Sequence, residues 1–174
     1  QTVDEVALSI VTQKFKLVES GALSDRDARA AALAELKEIR YGDNGYVWVN
    51  DLNQIVLMHP IKPEMDGKKL DQLKDKAGKY LFREFNETVK KQGAGFVDYL
   101  WPKPGSDKPV EKVSYVKGFA PWGWVIGSGI YVHDVQDTFV RQAAWMGLGL
   151  LVSLSIASYM FLSFYRVMDG GLRE

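Results

Sequence analysis

Within 174 residues, the groups able to meet a small anion gather in a few short aromatic runs. Tyr115 and Lys117 sit two apart in Lys112-Val113-Ser114-Tyr115-Val116-Lys117, and Tyr99 and Trp101 two apart in Asp98-Tyr99-Leu100-Trp101. Read as strands, alternation puts each pair on one face. An ammonium beside phenol hydroxyls, walled by aromatic rings, suits a small carboxylate: Lys117 supplies the charge and Tyr115 a donor. Met58, His59 and Pro60 end another strand at the edge of that space and are placed to close it. Trp48, Tyr80 and Phe85 complete the ligand-binding candidates as aromatic walls. Each residue also has a plainer reading. Tyr99 and Trp101 serve as well in a core, Lys117 as a solvated strand-edge cation, and His59 as a cap on the turn before Pro60. Tyr46 shares a face with Trp48, and alternation alone does not say which. Lys103, in an exposed turn, reads as solvated. The expectation from this set is that Lys117→Ala weakens monocarboxylate binding about tenfold or more, roughly 1.4 kcal/mol.

Composition removes most other chemistries. There is no cysteine, so disulfides, thiolate-bound zinc, iron–sulfur clusters and thiol nucleophiles are excluded. Two histidines, His59 and His133, make a multi-histidine metal site unexpected, and no cofactor is expected. Basic and acidic residues both number 22, leaving no net field to attract nucleic acid. The chain has no Gly-x-Ser-x-Gly elbow, no His-Glu-x-x-His and no glycine-rich phosphate loop opening a helix. The 20 acidic residues before position 142 leave a hydrolytic carboxylate pair open, so a membrane-anchored hydrolase is the competing class. A purely structural membrane-tethered module is the other rival. The expectation is a binding protein, not an enzyme.

The elements that must position these residues follow from periodicity. Val3, Val6, Ala7, Ile10 and Val18 make a helical stripe that Gly21 stops. Ser24 with Asp27 resembles a capping box for a second helix carrying Ala28, Ala31, Ala32, Leu36 and Ile39. From Gly45 the period becomes two: a strand at Tyr46–Val49, a turn, and a partner strand from Gln54 to Met58. Residues 61–76 read as a polar connector. Tyr80 to Lys91 reads as a helix ending at Gly93. Three strands follow, Gly95–Trp101, Val110–Phe119 and Trp122–Val132, turning at Pro102–Gly105 and at Ala120-Pro121. The sum is an α+β fold: a five-stranded antiparallel sheet with helices packed against it. Gln142 to Tyr165 then runs 24 residues without a charge, 17 of them apolar. As a helix this covers about 36 Å, enough to cross a bilayer, with Arg141 and Arg166 at its flanks. The expected domains are a ligand-binding domain over 1–141, a transmembrane helix over 142–165 and the start of a segment on the other side over 166–174. Asp134 is placed to cap the helix entering the span, and no proline or glycine lies between Tyr131 and Trp145, so this segment is expected to transmit a displacement without a hinge.

Five segments together resemble the single Cache family of extracellular sensor domains, over roughly Val6 to Asp137 and in the same order. They are Arg40-Tyr41-Gly42-Asp43-Asn44-Gly45-Tyr46-Val47-Trp48-Val49-Asn50-Asp51; Met58-His59-Pro60 with Lys62-Pro63; Gly95-Phe96-Val97-Asp98-Tyr99-Leu100-Trp101-Pro102-Lys103-Pro104-Gly105; Lys112-Val113-Ser114-Tyr115-Val116-Lys117; and Trp122-Gly123-Trp124-Val125-Ile126-Gly127-Ser128-Gly129-Ile130-Tyr131-Val132. The resemblance implies a PAS-like sheet behind a long N-terminal helix. It also implies the periplasmic sensor of a methyl-accepting chemotaxis receptor in a bacterial inner membrane, with a histidine kinase or a cyclase as the alternative output. It implies a ligand among acetate, propionate, lactate and pyruvate. The expected partners are this small organic acid, the membrane and a second copy of the chain in a homodimer, with no nucleic acid. Residues 1–141 are expected to face the periplasm and Arg166 onward the cytoplasm.

Overall fold

The computed structural model describes residues 2–171, apart from the side chains of 135–138 and 167–171. The expected segment 166–174 therefore lies partly outside the described residues. Residues 1–134 and 135–174 form two compact units.

Two helices open the first unit. Helix α1, Val3–Glu19, begins at a Thr2 capping box in which Glu5 answers the cap. Helix α2, Asp25–Lys37, begins at Ser24, whose Oγ accepts the Asp27 amide at 3.1 Å. Ala28, Ala32 and Leu36 are buried along α2, where small side chains let the helix lie close to its neighbours. On α1 the buried positions are Ala7 and Val11; Val6, expected in the stripe, is exposed instead.

The strands are β1 (Arg40–Tyr41), β2 (Gly45–Asp51), β3 (Val56–Met58), β4 (Ala94–Pro102), β5 (Pro109–Phe119) and β6 (Trp124–Tyr131), with helix α3 (Leu81–Gln92) between β3 and β4. The antiparallel sheet runs β1-β2-β6-β5-β4, with β3 pairing on β2. The five expected strands are present, joined by the two-residue β1. The β4–β5 hairpin pairs Pro102 with Pro109, Tyr99 with Lys112 and Val97 with Ser114.

The sheet is covered on both faces. On one, α1 and α2 pack against Val47, Val49, Phe119, Trp124 and Ile126. On the other, Leu81, Phe82 and Phe85 of α3 pack against Tyr46, Trp48, Val97, Tyr99, Val116 and Val125. Strand β2 is therefore apolar at both parities, as a doubly covered strand must be. Gly93, at φ 77°, ends α3 in a conformation costly for other residues and turns the chain directly into β4.

Helix α4, Val132–Gly171, follows β6 without a connecting residue, so Asp134 lies in its first turn rather than capping it. Among the described residues it is the one helix long and apolar enough to cross a membrane, and side chains such as Leu148, Leu150, Leu154 and Phe161 are exposed along it.

Candidate functional site

The register of the β4–β5 hairpin decides which residues of β5 meet the α3 side. Because Tyr99 pairs with Lys112 and Val97 with Ser114, the even-numbered residues Lys112, Ser114 and Val116 share the face of Tyr99. Lys112 is 1% exposed, and its ammonium has no hydrogen-bond partner among the described residues. Aromatic rings surround it instead. Nζ lies 3.9 Å from the centre of the Tyr46 ring, 5.0 Å from Tyr131, 5.4 Å from Trp48 and 6.0 Å from Tyr99. Each such contact is worth about 0.5–2 kcal/mol, which offsets only part of the cost of withdrawing an ammonium from water. Burial accordingly pushes the Lys112 pKa down from 10.5 to about 7.

Strand β6 makes room for this arrangement by carrying no side chain at two positions. A Cβ at Gly129 would sit 2.1 Å from Ser114 Oγ and 2.9 Å from Lys112 Cε, and one at Gly127 would sit 2.2 Å from Trp48 Cζ2. The lysine stem and the indole therefore lie flat on bare backbone. Trp48 is also held by polar contacts: its Nε1–H donates to Asn50 Oδ1 at 3.2 Å, Asn50 Nδ2 donates to Asn86 Oδ1 at 2.8 Å, and Asn86 Nδ2 donates to the Asp51 carbonyl at 3.0 Å. This buried amide chain ties α3 to β2 and sets the indole's tilt. Tyr99 and Ser114 share a hydroxyl–hydroxyl bond of 2.9 Å, and Tyr131 donates to the Pro102 carbonyl at 2.8 Å.

Against these rings lies a cavity lined by Tyr46, Trp48, His59, Leu81, Phe82, Phe85, Tyr99 and Trp101, with about 220 Å³ of empty space including its mouth. The space within it open to a water-sized sphere is only about 10 Å³, room for about one water, so anything larger enters only as the lining side chains give way. His59 reaches it from the turn after β3. Its Nδ1 accepts the amides of Ile61 at 3.3 Å and Lys62 at 3.0 Å, while its own amide donates to Asp66 Oδ1 at 2.7 Å. Burial, reinforced by Lys112 and Lys62, pushes its pKa down from 6.5 to about 3, so the ring is neutral at ordinary pH. Burial also raises the Tyr46 and Tyr99 phenols and pushes Tyr131 up to about 12, leaving all three protonated. No carboxylate is among the lining residues, so the carboxylate pair of the competing hydrolase reading does not lie in this cavity. The cavity wall offers an anion neutral donors and apolar rings; Lys112 is not among the lining residues, but its ammonium lies over the Tyr46, Trp48 and Tyr99 rings that are.

Of the ten residues expected at the site, Trp48, His59, Phe85, Tyr99 and Trp101 line the cavity. His59 also caps its turn, as its plainer reading has it. The other five lie elsewhere. Met58 is buried on the opposite face, in the cluster with α1 and α2. Pro60 is half-buried in the turn and is not among the lining residues. Tyr80 precedes α3, and its ring stacks under Lys74 and Arg83 at 4.6 and 4.3 Å. Tyr115 and Lys117 stand on the α1 side of the sheet, because Tyr115 pairs with Phe96 and Ser128, and Lys117 with Ala94 and Ile126. The cation beside Tyr99 is Lys112. Lys103, expected in solvent, forms an ion pair with Asp134. Lys112, Tyr46, Leu81 and Phe82 were not expected. One signal was available for the lysine: centring the hairpin on Gly105-Ser106, between Pro102 and Pro109, pairs 99 with 112 and not with 115 or 117.

A family model, Single Cache domain 2, matches residues 2–145. The chain is 39% identical over 155 residues to the methyl-accepting chemotaxis protein McpP of Pseudomonas putida, covering 87% of this chain and 28% of that protein, so it spans under a third of that relative's length. A solved periplasmic sensor domain of a chemotaxis protein superposes with a TM-score of 0.72 at 49% identity, over 74% of this chain and 89% of that one. Another solved structure, described as the basis for carboxylic acid recognition by a Cache chemosensory domain, also superposes at 0.72, with 44% identity over 74% of this chain and 87% of that one.

Proposed function

The chain belongs to the single Cache family, and we propose that it is the ligand-sensing part of a transmembrane chemoreceptor that binds a short-chain monocarboxylate in the cavity between α3 and the sheet. The buried, unpartnered ammonium of Lys112 in its aromatic cage carries this reading. An ammonium without a hydrogen bond in a dry site is costly, and a carboxylate supplies both the missing charge and the missing acceptor. The cavity is narrow, so the ligand must be small and its entry must move the lining rings. Acetate, propionate, lactate and pyruvate are the class proposed. A solved relative described as recognising a carboxylic acid supports the same class.

The receptor context rests on the relatives and on α4. In this reading 1–141 is the periplasmic domain, 142–165 crosses the inner membrane and 166–174 begins the cytoplasmic part, with the receptor acting as a homodimer. The ligand is small, so its affinity is bounded: about 1.5 kcal/mol for each of four heavy atoms gives acetate roughly −6 kcal/mol, or tens of micromolar. The test is a thermal-shift screen of the full chain in lipid nanodiscs against the four acids and their primary amides. At millimolar ligand at least one acid should raise the melting temperature and no amide should. Silence from all four acids contradicts the proposal.

A further inference from the structure

Helix α4 leaves β6 without a connecting residue, so the backbone passes from strand to helix at one joint, between Tyr131 and Val132. A single covalent link lets a helix swing unless a side chain of its first turn is fastened, because its first four amides have no partner within it. Asp134 is such a side chain. Its Oδ1 pairs with the Lys103 ammonium, from the turn between β4 and β5, and its Oδ2 accepts from Asn44 Nδ2 at 2.8 Å, from the turn between β1 and β2. These turns lie at opposite ends of the strand order. Each leads back to the cage around Lys112. Lys112 and Lys103 both lie over the Tyr131 ring, at 5.0 and 5.8 Å, and Tyr131 donates to the carbonyl of Pro102, the neighbour of Lys103. Gly129, whose missing side chain makes room for the Lys112 stem, is bonded to the Tyr41 hydroxyl, three residues before Asn44. That hydroxyl donates to the Gly129 carbonyl and accepts the Gly129 amide, both at 2.7 Å.

We propose that Asp134 couples the site to α4: the clasp formed with Lys103 and Asn44 carries a displacement of the Lys112 cage to the root of the helix. This rests on the carboxylate reading above. Lys112 is not among the lining residues, so its ammonium must leave the rings of its cage to meet a carboxylate in the cavity. Tyr131 then loses one of the two cations over its ring, and its hydroxyl passes the shift to Pro102 and Lys103. Both carboxylate oxygens of Asp134 take charge-assisted bonds, and the side chains of the ion pair are only 27% and 28% exposed, which makes the clasp stiffer than a solvated surface pair. Without it, the same shift is absorbed at the joint between strand and helix. Neither Lys103 nor Asn44 lines the cavity, so the clasp governs transmission and not affinity.

The chain has no cysteine, so Val140→Cys, at an exposed position of α4, gives one attachment point for a fluorophore sensitive to its surroundings. The labelled full chain in nanodiscs is titrated with acetate, propionate, lactate and pyruvate in turn, and affinity is read in parallel by calorimetry. In this labelled parent an acid that binds should shift the emission. Lys103→Met and Asn44→Ala cut the clasp at different arms. Each should keep the affinity for that acid within about threefold and lose at least roughly half of the emission shift, whereas Lys103→Arg, which preserves the ion pair, should keep the shift. If both cut variants retain more than half of it, the clasp only fastens the helix and the proposal is overturned. A parent that binds an acid with no shift overturns it too, as does an affinity loss beyond about threefold in both cut variants. These results leave the carboxylate reading standing. If the parent binds none of the four acids, that reading fails and this proposal with it.

Discussion

Lys112 is the only buried side-chain nitrogen or oxygen among the described residues without a hydrogen bond, and its pKa of about 7 has consequences on both sides of binding. The charged form is the one that pairs with a carboxylate. Affinity should therefore be level below pH 7 and fall above it, approaching tenfold per pH unit, with proton uptake on binding. Tyr46, Tyr99 and Tyr131 stay protonated and His59 stays neutral across this range, so none of the groups facing Lys112 masks the effect. Calorimetry at pH 8 in two buffers of different ionisation enthalpy should give different apparent heats; equal heats would contradict the assignment. The sign for stability is opposite. Between about 7 and 10.5 the unfolded chain holds a proton that the ligand-free fold has released, so the unliganded domain gains stability as pH rises through this window. The same residue shows why the site was only half legible. In β5 the odd positions, Val113 and Tyr115, look like the buried face, and the even positions, Lys112 and Ser114, look like the wet one. The fold inverts that pattern by burying the polar set.

At the scale of elements, punctuation was readable and facing was not. Gly93, the Pro102–Pro109 turn and the Ser24 cap each act through local backbone chemistry, and the observed boundaries follow them closely. Which side of β2 lines the cavity is set by tertiary packing. Helices cover both faces, so Tyr46-Val47-Trp48-Val49 carries no alternation to read. Strand β6 shows the dependence of site on element most directly. Gly127 lets the Trp48 indole rest on bare backbone, and the Asn50–Asn86 chain holds it there. In Gly127→Ala the new methyl would lie 2.2–2.5 Å from three indole carbons, so the ring must lift towards the cavity. Overpacking of this kind costs about 1–3 kcal/mol and here also removes ligand volume. The variant should melt several degrees lower and bind propionate at least roughly tenfold more weakly. Unchanged affinity by calorimetry would show that the indole does not wall the ligand.

For the molecule as a whole, the sheet separates two jobs. Its α1/α2 face is closed by small and aliphatic side chains, and its α3 face holds the cavity and the buried charge. The last residue of β6, Tyr131, touches both ends of the account: Lys112 lies over its ring, and α4 begins at the next residue. With no proline or glycine between Tyr131 and Trp145, a ligand that moves Lys112 has a direct covalent route towards the apolar helix. A tenfold preference for one arrangement is worth about 1.4 kcal/mol, enough for a graded response. The two faces also supply a matched control. Lys112 and Lys117 lie on one strand, five residues apart, and stand on opposite sides of the sheet. The central claim is that the cation of this sensor is Lys112, and it is tested most directly by calorimetric titration of propionate into the full chain and its Lys112→Met and Lys117→Met variants at pH 6.5. Methionine keeps the length of the stem and removes only the charge. The account predicts that Lys112→Met abolishes measurable binding while melting no lower than the parent, and that Lys117→Met binds as the parent does. Retained affinity in Lys112→Met, or its loss in Lys117→Met, would contradict it.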